Sequence, residues 1–218
     1  MVVMSSFPRS PRLLKGAIAR IDTAGSMPKF IMFQYNPDTI SRTLTPKYNT
    51  SNDSNVENFR LGGVPDEEIT VSIEFDATDH LEHPEVNPVT ALLGVNPQLS
   101  ALETLVYPAS EQVISNTTLA ESGTMEIAAA SCPVTLFVFG VSKILPVKIK
   151  SYTIEEQAYD TKLNPILAKV TLKMSVLTYS SLQQSQLAYS LYQVNHVGKE
   201  VMAMWAQFES VTSFARKV

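Results

Sequence analysis

The alternation of apolar and polar positions is sharpest between residues 166 and 176. Ile166, Ala168, Val170, Leu172, Met174 and Val176 fall on one face of an extended chain, with Lys169, Thr171, Lys173 and Ser175 on the other. That period of two is the signature of a strand with one buried face. Upstream, Val134 to Phe139 is, Thr135 apart, an apolar run closed by Gly140, long enough for a strand buried on both faces. Ile144 to Tyr152 is a second β-rich run, in which Val147-Lys148-Ile149-Lys150 alternates apolar with charged. With the turn-like Asp160-Thr161-Lys162-Leu163-Asn164-Pro165 before the last strand, the three runs predict an antiparallel meander with one wet face. The remainder of the chain must cover the dry face.

Several earlier segments fit that task. Leu13 to Ile21 can form a first strand, and Phe30 to Tyr35 is apolar on both faces until Asn36-Pro37-Asp38 stops it. Gly62-Gly63-Val64-Pro65 turns the chain into another patterned strand, with Ile69, Val71, Ile73 and Phe75 opposite Thr70, Ser72 and Glu74. Asn96-Pro97 reads as a helix start, with Asn96 as N-cap and Pro97 at the first position. Leu99, Leu102, Leu105 and Val106 then keep helical spacing until Pro108. This predicts a short amphipathic helix laid against the sheet.

The segments between are polar. Residues 1–12, with Pro8 and Pro11, read as an extended arm. Lys47 to Asn58 reads as an exposed loop, and Ala109 to Ser131 as a long loop that orders in an assembly. From Ser181 onward there is no proline, and Leu187, Leu191, Val194, Val201, Trp205 and Phe208 recur at spacings of four and three, with Gly198 interrupting. That is a helical stripe, which either folds back on its own sheet or meets another chain. Because the alternating strands all precede it, the β domain is expected to fold without it. The organisation expected is an arm (1–12), a β domain (13–180) and a helical segment (181–218). The fold class is mainly β, of the α+β kind.

Composition narrows the function classes. At 218 residues, with 44% hydrophobic and 17% charged content, the chain has the makeup of an ordinary core-forming domain. No apolar run approaches the roughly 20 residues of a membrane helix, and no N-terminal stretch resembles a secretory signal. A formal charge of −4 with scattered Lys and Arg argues against nucleic-acid binding. The lone Cys132 excludes an internal disulfide and suits a reducing compartment.

Candidate chemistry is sparse. Asp79-His80-Leu81-Glu82-His83-Pro84-Glu85 gathers two imidazoles and three carboxylates, but its spacing is not a zinc pattern and Pro84 prevents a regular helix from aligning ligands. A hydrated loop without a metal is expected there. His196 is the only other histidine, and no Gly-x-Ser-x-Gly nucleophile turn occurs. Cys132 beside Pro133 reads as a packed thiol, and Asp66-Glu67-Glu68 and Glu155-Glu156 as solvated charges. No catalytic constellation emerges, no cofactor is implied, and the expectation is a protein that is not an enzyme.

Ordered short motifs supply a resemblance. Phe33-Gln34-Tyr35-Asn36-Pro37, before Ile40-Ser41, resembles the Phe-Gln-aromatic-Asn-Pro signature of the N-terminal tube domain in contractile injection systems. Leu61 to Pro65 before Ile69 to Asp76 is similar to that family's glycine turn and Phe-Asp strand. Cys132-Pro133 through Phe139-Gly140 is similar to its proline-led strand, with Phe139 where the family often has Trp. Leu163 to Leu172 resembles its strand of the form Gly-x-Pro-x-Arg-Ala-x-Val-x-Leu. The likeness spans about residues 13 to 177. Many members continue into a LysM domain where this sequence runs into its helical segment.

The resemblance implies a tail-tube-like antiparallel β-sandwich or barrel, assembled as a hexameric ring. It implies a structural subunit that connects a baseplate hub or spike to the inner tube and initiates tube assembly. The implied partners are further copies of the chain, the inner tube protein and hub or spike proteins, with no nucleic acid and no direct membrane insertion. The implied location is the cytoplasm of the producing bacterium, in a particle either anchored or released. Two alternatives compete with this: a β-sandwich carbohydrate-binding or spike-associated module, and a metal-dependent hydrolase using His80 and His83.

Overall fold

A computed structural model describes residues 13–21, 29–48, 61–107, 110, 117, 134–178 and 186–215. Cys132, the arm 1–12 and almost all of the loop 109–131 lie outside the described residues, as does most of the loop 47–58. Seven strands form a single antiparallel sheet: β1 Ala17–Ile21, β2 Lys29–Met32, β3 Ile40–Thr45, β4 Asp66–Asp76, β5 Val134–Val138, β6 Ile144–Tyr159 and β7 Pro165–Val176. Their order is β2-β1-β5-β6-β7-β4-β3, so β2 and β3 are the edges. The helices are α1 Thr78–Leu81, α2 Pro88–Leu93, α3 Asn96–Glu103 and α4 Gln186–Ala215. The mainly-β, α+β class is therefore as the sequence implies.

The core lies on one face of the sheet. Ala168, Val170, Leu172, Met174 and Val176 of β7 are buried, and β4 aligns Ile69, Val71, Ile73 and Phe75 beside them. Val170 sits in register with Ile73 on one side and Ile154 on the other. Thr135, Leu136 and Phe137 of β5 are all buried, so both faces of this mostly apolar strand are covered. In β6 the register with β7 slips between Ile149 and Ser151, a bulge that leaves Lys150 as the extra residue. Its parity switches there: Leu145 and Val147 face the core before the bulge, whereas Tyr152 and Ile154 pack against it afterwards. The wet face carries cross-strand ion pairs, Glu68 with Lys150 and Lys173, and Glu74 with Lys169.

α3 closes part of the core through Leu99 and Leu102, joined by Val95 and Leu105 from its two ends. Its N-cap is Val95 rather than Asn96, and no side chain caps it. A backbone bond replaces the cap: the Val95 amide donates to the Pro165 carbonyl at 2.9 Å, docking the helix on the start of β7. Gly94 makes that approach feasible, since a Cβ there would lie 2.2 Å from the Pro165 oxygen. Its φ of +59° is also one that glycine adopts without penalty. At the end of α3, the Arg20 guanidinium donates to the Thr104 carbonyl.

α4 begins against the sheet, where Ala188 and Tyr192 belong to the core. One expectation needs correction: Glu67 is not a solvated charge. It continues the inward face of β4 one step beyond Ile69 and is only 6% exposed. Strand parity outranks side-chain polarity here, because partners are present to neutralise the carboxylate.

Candidate functional site

The family-like motif Phe33 to Pro37 proves to be a structural clasp. Phe33 is fully buried, its ring centroid 6.4 Å from Phe137, which stacks on Phe139 at 6.1 Å. Its amide donates to the Gly16 carbonyl at 2.9 Å, and a Cβ on Gly16 would stand 2.6 Å from the Phe33 ring. Gln34 then crosses to the far side of the sheet. Its Nε2 donates to the Asp76 carbonyl at 2.6 Å, and the Asp76 amide donates back to Oε1 at 2.9 Å.

One side-chain amide thus ties the end of edge strand β2 to the end of β4, beside the opposite edge. The sheet therefore curls enough to bring these two strand ends together. Asn36 holds the entry to β1: its Oδ1 accepts from the Gly16 amide and its Nδ2 donates to the Leu14 carbonyl, both at 2.9 Å. The exposed Tyr35 hydroxyl donates to Asp79 Oδ2 at 3.3 Å. Partial burial first, and the Asp79 carboxylate second, push that phenol above its ordinary pKa. Pro37 is half-buried and leads the chain toward β3.

The histidine segment forms a turn. His80 lies in α1, while the backbone carbonyls of His80 and His83 accept from Asn87 Nδ2 at 3.4 and 3.3 Å. His83 and Glu85 approach to 3.5 Å with both side chains about two-thirds exposed. Among the described residues, no three His, Cys, Asp or Glu side chains converge as metal ligands. His196 is remote from them, on α4, paired with Glu200 at 3.3 Å and stacked on Tyr192.

Large apolar side chains lie on the surface at both ends of the strands. At the β6–β7 turn, Leu163 is 79% exposed at a φ of +64°. Asp160 shapes that turn, its Oδ1 accepting from the Lys162 and Asn164 amides at 2.7 and 2.8 Å. The Asn164 side chain, whose Nδ2 donates to Asp160 Oδ2 at 2.9 Å, and then the Asn164 amide hold the Asp160 carboxyl below the usual aspartate range. Asn164 Nδ2 also donates to the Leu92 carbonyl, placing exposed Val89 and Leu92 of α2 nearby. At the opposite end α4 leaves the domain. Its path is set by Asn195, which donates to the Ser142 carbonyl at 2.8 Å, and by Lys199, which donates to Glu67 Oε2 at 3.1 Å. Arg42 of β3 completes the cluster, its Nε and Nη2 both on Glu67 Oε1.

The predicted stripe divides at this anchor. Leu191 is half-buried, whereas Val194, Val201, Trp205 and Phe208 are exposed, and every residue from 200 to 210 is open to solvent. The side chain of Leu187 lies outside the described residues.

A particle tail is among the similar solved structures. It is the tail of an empty GTA particle, refined helically with C6 symmetry, at 13% identity. The match covers 74% of this chain and 90% of that one, with a TM-score of 0.29, too low to bear on the role of this chain. No protein-family model and no curated protein matches the sequence.

Sequence reasoning missed the Glu67–Arg42–Lys199 cluster and the part played by Gly94. The first had a signal: Glu67 shares parity with Ile69, Val71 and Ile73, which places it on the buried face. The second had none, because the Gly94–Pro165 approach joins segments far apart in the chain.

Proposed function

We propose that this chain is a non-enzymatic structural subunit of a contractile injection system. In this reading it forms a six-fold ring that connects the baseplate hub or spike to the inner tube and templates the first tube ring. The observation that carries the reading is the state of the sheet's edges. Edge strand β2 bears Phe30 and Met32 exposed at 64% and 62%, and edge strand β3 bears Leu44 exposed at 52%. Edge strands of proteins that remain alone are blunted by charge, proline or a covering element, because their open amides and carbonyls invite pairing. Among the described residues the two edges offer apolar side chains beside backbone that no further strand pairs, the combination that strand addition between neighbours uses.

The ordered motif resemblance supplies the particle class, and the clasp at Gln34 gives its central motif a physical purpose. Binding energy would come from edges and apolar ends, with no reacting group required. The test is electron microscopy of the assembled particle with this subunit located by a tag or by its density. A ring of six copies between spike and tube is expected. Finding the chain as a single copy, or in a ring remote from the tube, would refute the assignment.

A further inference from the structure

From the exposed face of α4 we infer that this helix is a self-association arm, packing in parallel along the α4 helices of neighbouring copies. The inference rests on reading the chain as a subunit whose copies lie side by side. Beyond the Lys199–Glu67 anchor, residues 200–210 are all exposed. Its repeat is that of a helix made to meet helices. Leu191, Gly198 and Trp205 occupy one heptad position and Val194, Val201 and Phe208 the other, the alternating spacing of three and four that sustains a coiled-coil seam.

The flanking positions carry Val197, Met202 and Met204, exposed at 52%, 53% and 66%, where a simple two-stranded pair usually places charges. An apolar face this wide can touch a neighbour on each side, as members of a closed ring do. The exposed apolar side chains from Val194 to Phe208 present on the order of 700 Å², against the ~800 Å² each partner gives to a standard interface. That exceeds the ~300–600 Å² of the largest patch on an ordinary monomer.

Gly198 points the same way. A glycine inside a helix costs about 1 kcal/mol relative to alanine, and a Cβ at this one would meet nothing within 4 Å among the described residues. Among the described residues, no close approach calls for a glycine there. On the seam it leaves a notch where a neighbouring helix can approach closely. Parallel packing follows from the anchor, because Asn195 and Lys199 make α4 leave every copy from the same end of the sheet.

The test uses the full chain with Cys132→Ser, so that Phe208→Cys introduces the only thiol. Mild oxidation should give disulfide-linked pairs, because parallel helices bring the two 208 positions together. In an antiparallel pair position 208 would face 191, leaving the two thiols roughly 25 Å apart along the axis. Separately, Val201→Glu should weaken self-association by at least 100-fold in sedimentation, with an unchanged circular dichroism spectrum. A chain that stays monomeric without cross-links, that binds only lipid vesicles, or that assembles equally well with Val201→Glu, overturns the inference. Rings seen by microscopy without 208–208 cross-links would sink the arm and spare the ring. Cross-linked pairs that never close into a ring would do the reverse.

Discussion

Replacing three glycines by alanine should produce three different outcomes, because each occupies a different environment. At Gly94 the φ of +59° costs an L-residue about 1–2 kcal/mol. The new Cβ also meets the Pro165 carbonyl oxygen at 2.2 Å, a backbone atom that cannot swing away as a side chain end could. Forcing such a contact costs a further ~1–3 kcal/mol as the α2–α3 turn and the β6–β7 turn separate. The expected loss is about 2–5 kcal/mol, a melting point lower by roughly 5–15 °C for a chain of this size.

At Gly140 the φ is +75° but a Cβ meets nothing within 4 Å among the described residues, so Gly140→Ala should lose only the conformational part, about 1–2 kcal/mol. At Gly198, helical and open, Gly198→Ala should stabilise the monomer by about 1 kcal/mol. Chemical denaturation at a protein concentration where the chain is monomeric measures all three. If Gly94→Ala falls no further than Gly140→Ala, the tight docking of α3 on β7 is wrong.

Val170→Asp places a carboxylate at a fully buried site between Ile73 and Ile154. It should cost on the order of 4 kcal/mol or more, and a soluble, cooperatively melting variant would count against the assigned core. Glu67→Ala leaves Arg42 and Lys199, each about one-third exposed, without their shared anion. A loss of about 1–3 kcal/mol is expected in urea titration, with faster hydrogen exchange where α4 leaves the sheet; unchanged exchange there would mean the cluster does not set the path of α4. The low pKa of Asp160 stabilises the fold above the usual aspartate value of about 3.9, and that contribution is lost as pH falls through the lower folded value. Asp160→Asn should therefore flatten the acid limb of a melting-point-versus-pH curve, and an unaltered limb would show that the turn does not depend on this charge.

Period-two patterning along β4 and β7 determined the core face from sequence alone, since a strand has only two faces and Ile69 to Phe75 and Ala168 to Val176 fill one of them. The β5–β6–β7 meander followed from short connections, and α3 from its leucine spacing.

What tertiary structure alone decided involves residues brought together from distant segments. The motif from Phe33 to Pro37 was visible as a signature, but its action was not, because Gln34 acquires its meaning only when the sheet curls and Asp76 arrives opposite it. The bulge at Lys150 re-aimed the second half of β6, which a sequence pattern broken at that point could not announce. The apolar stripe of α4 was read correctly as a stripe, yet its division between core and solvent depends on where Ser142 and Glu67 anchor the helix. Periodicity is a local property and survives in the sequence; anchoring is a contact between strangers in the chain, and exists only after folding.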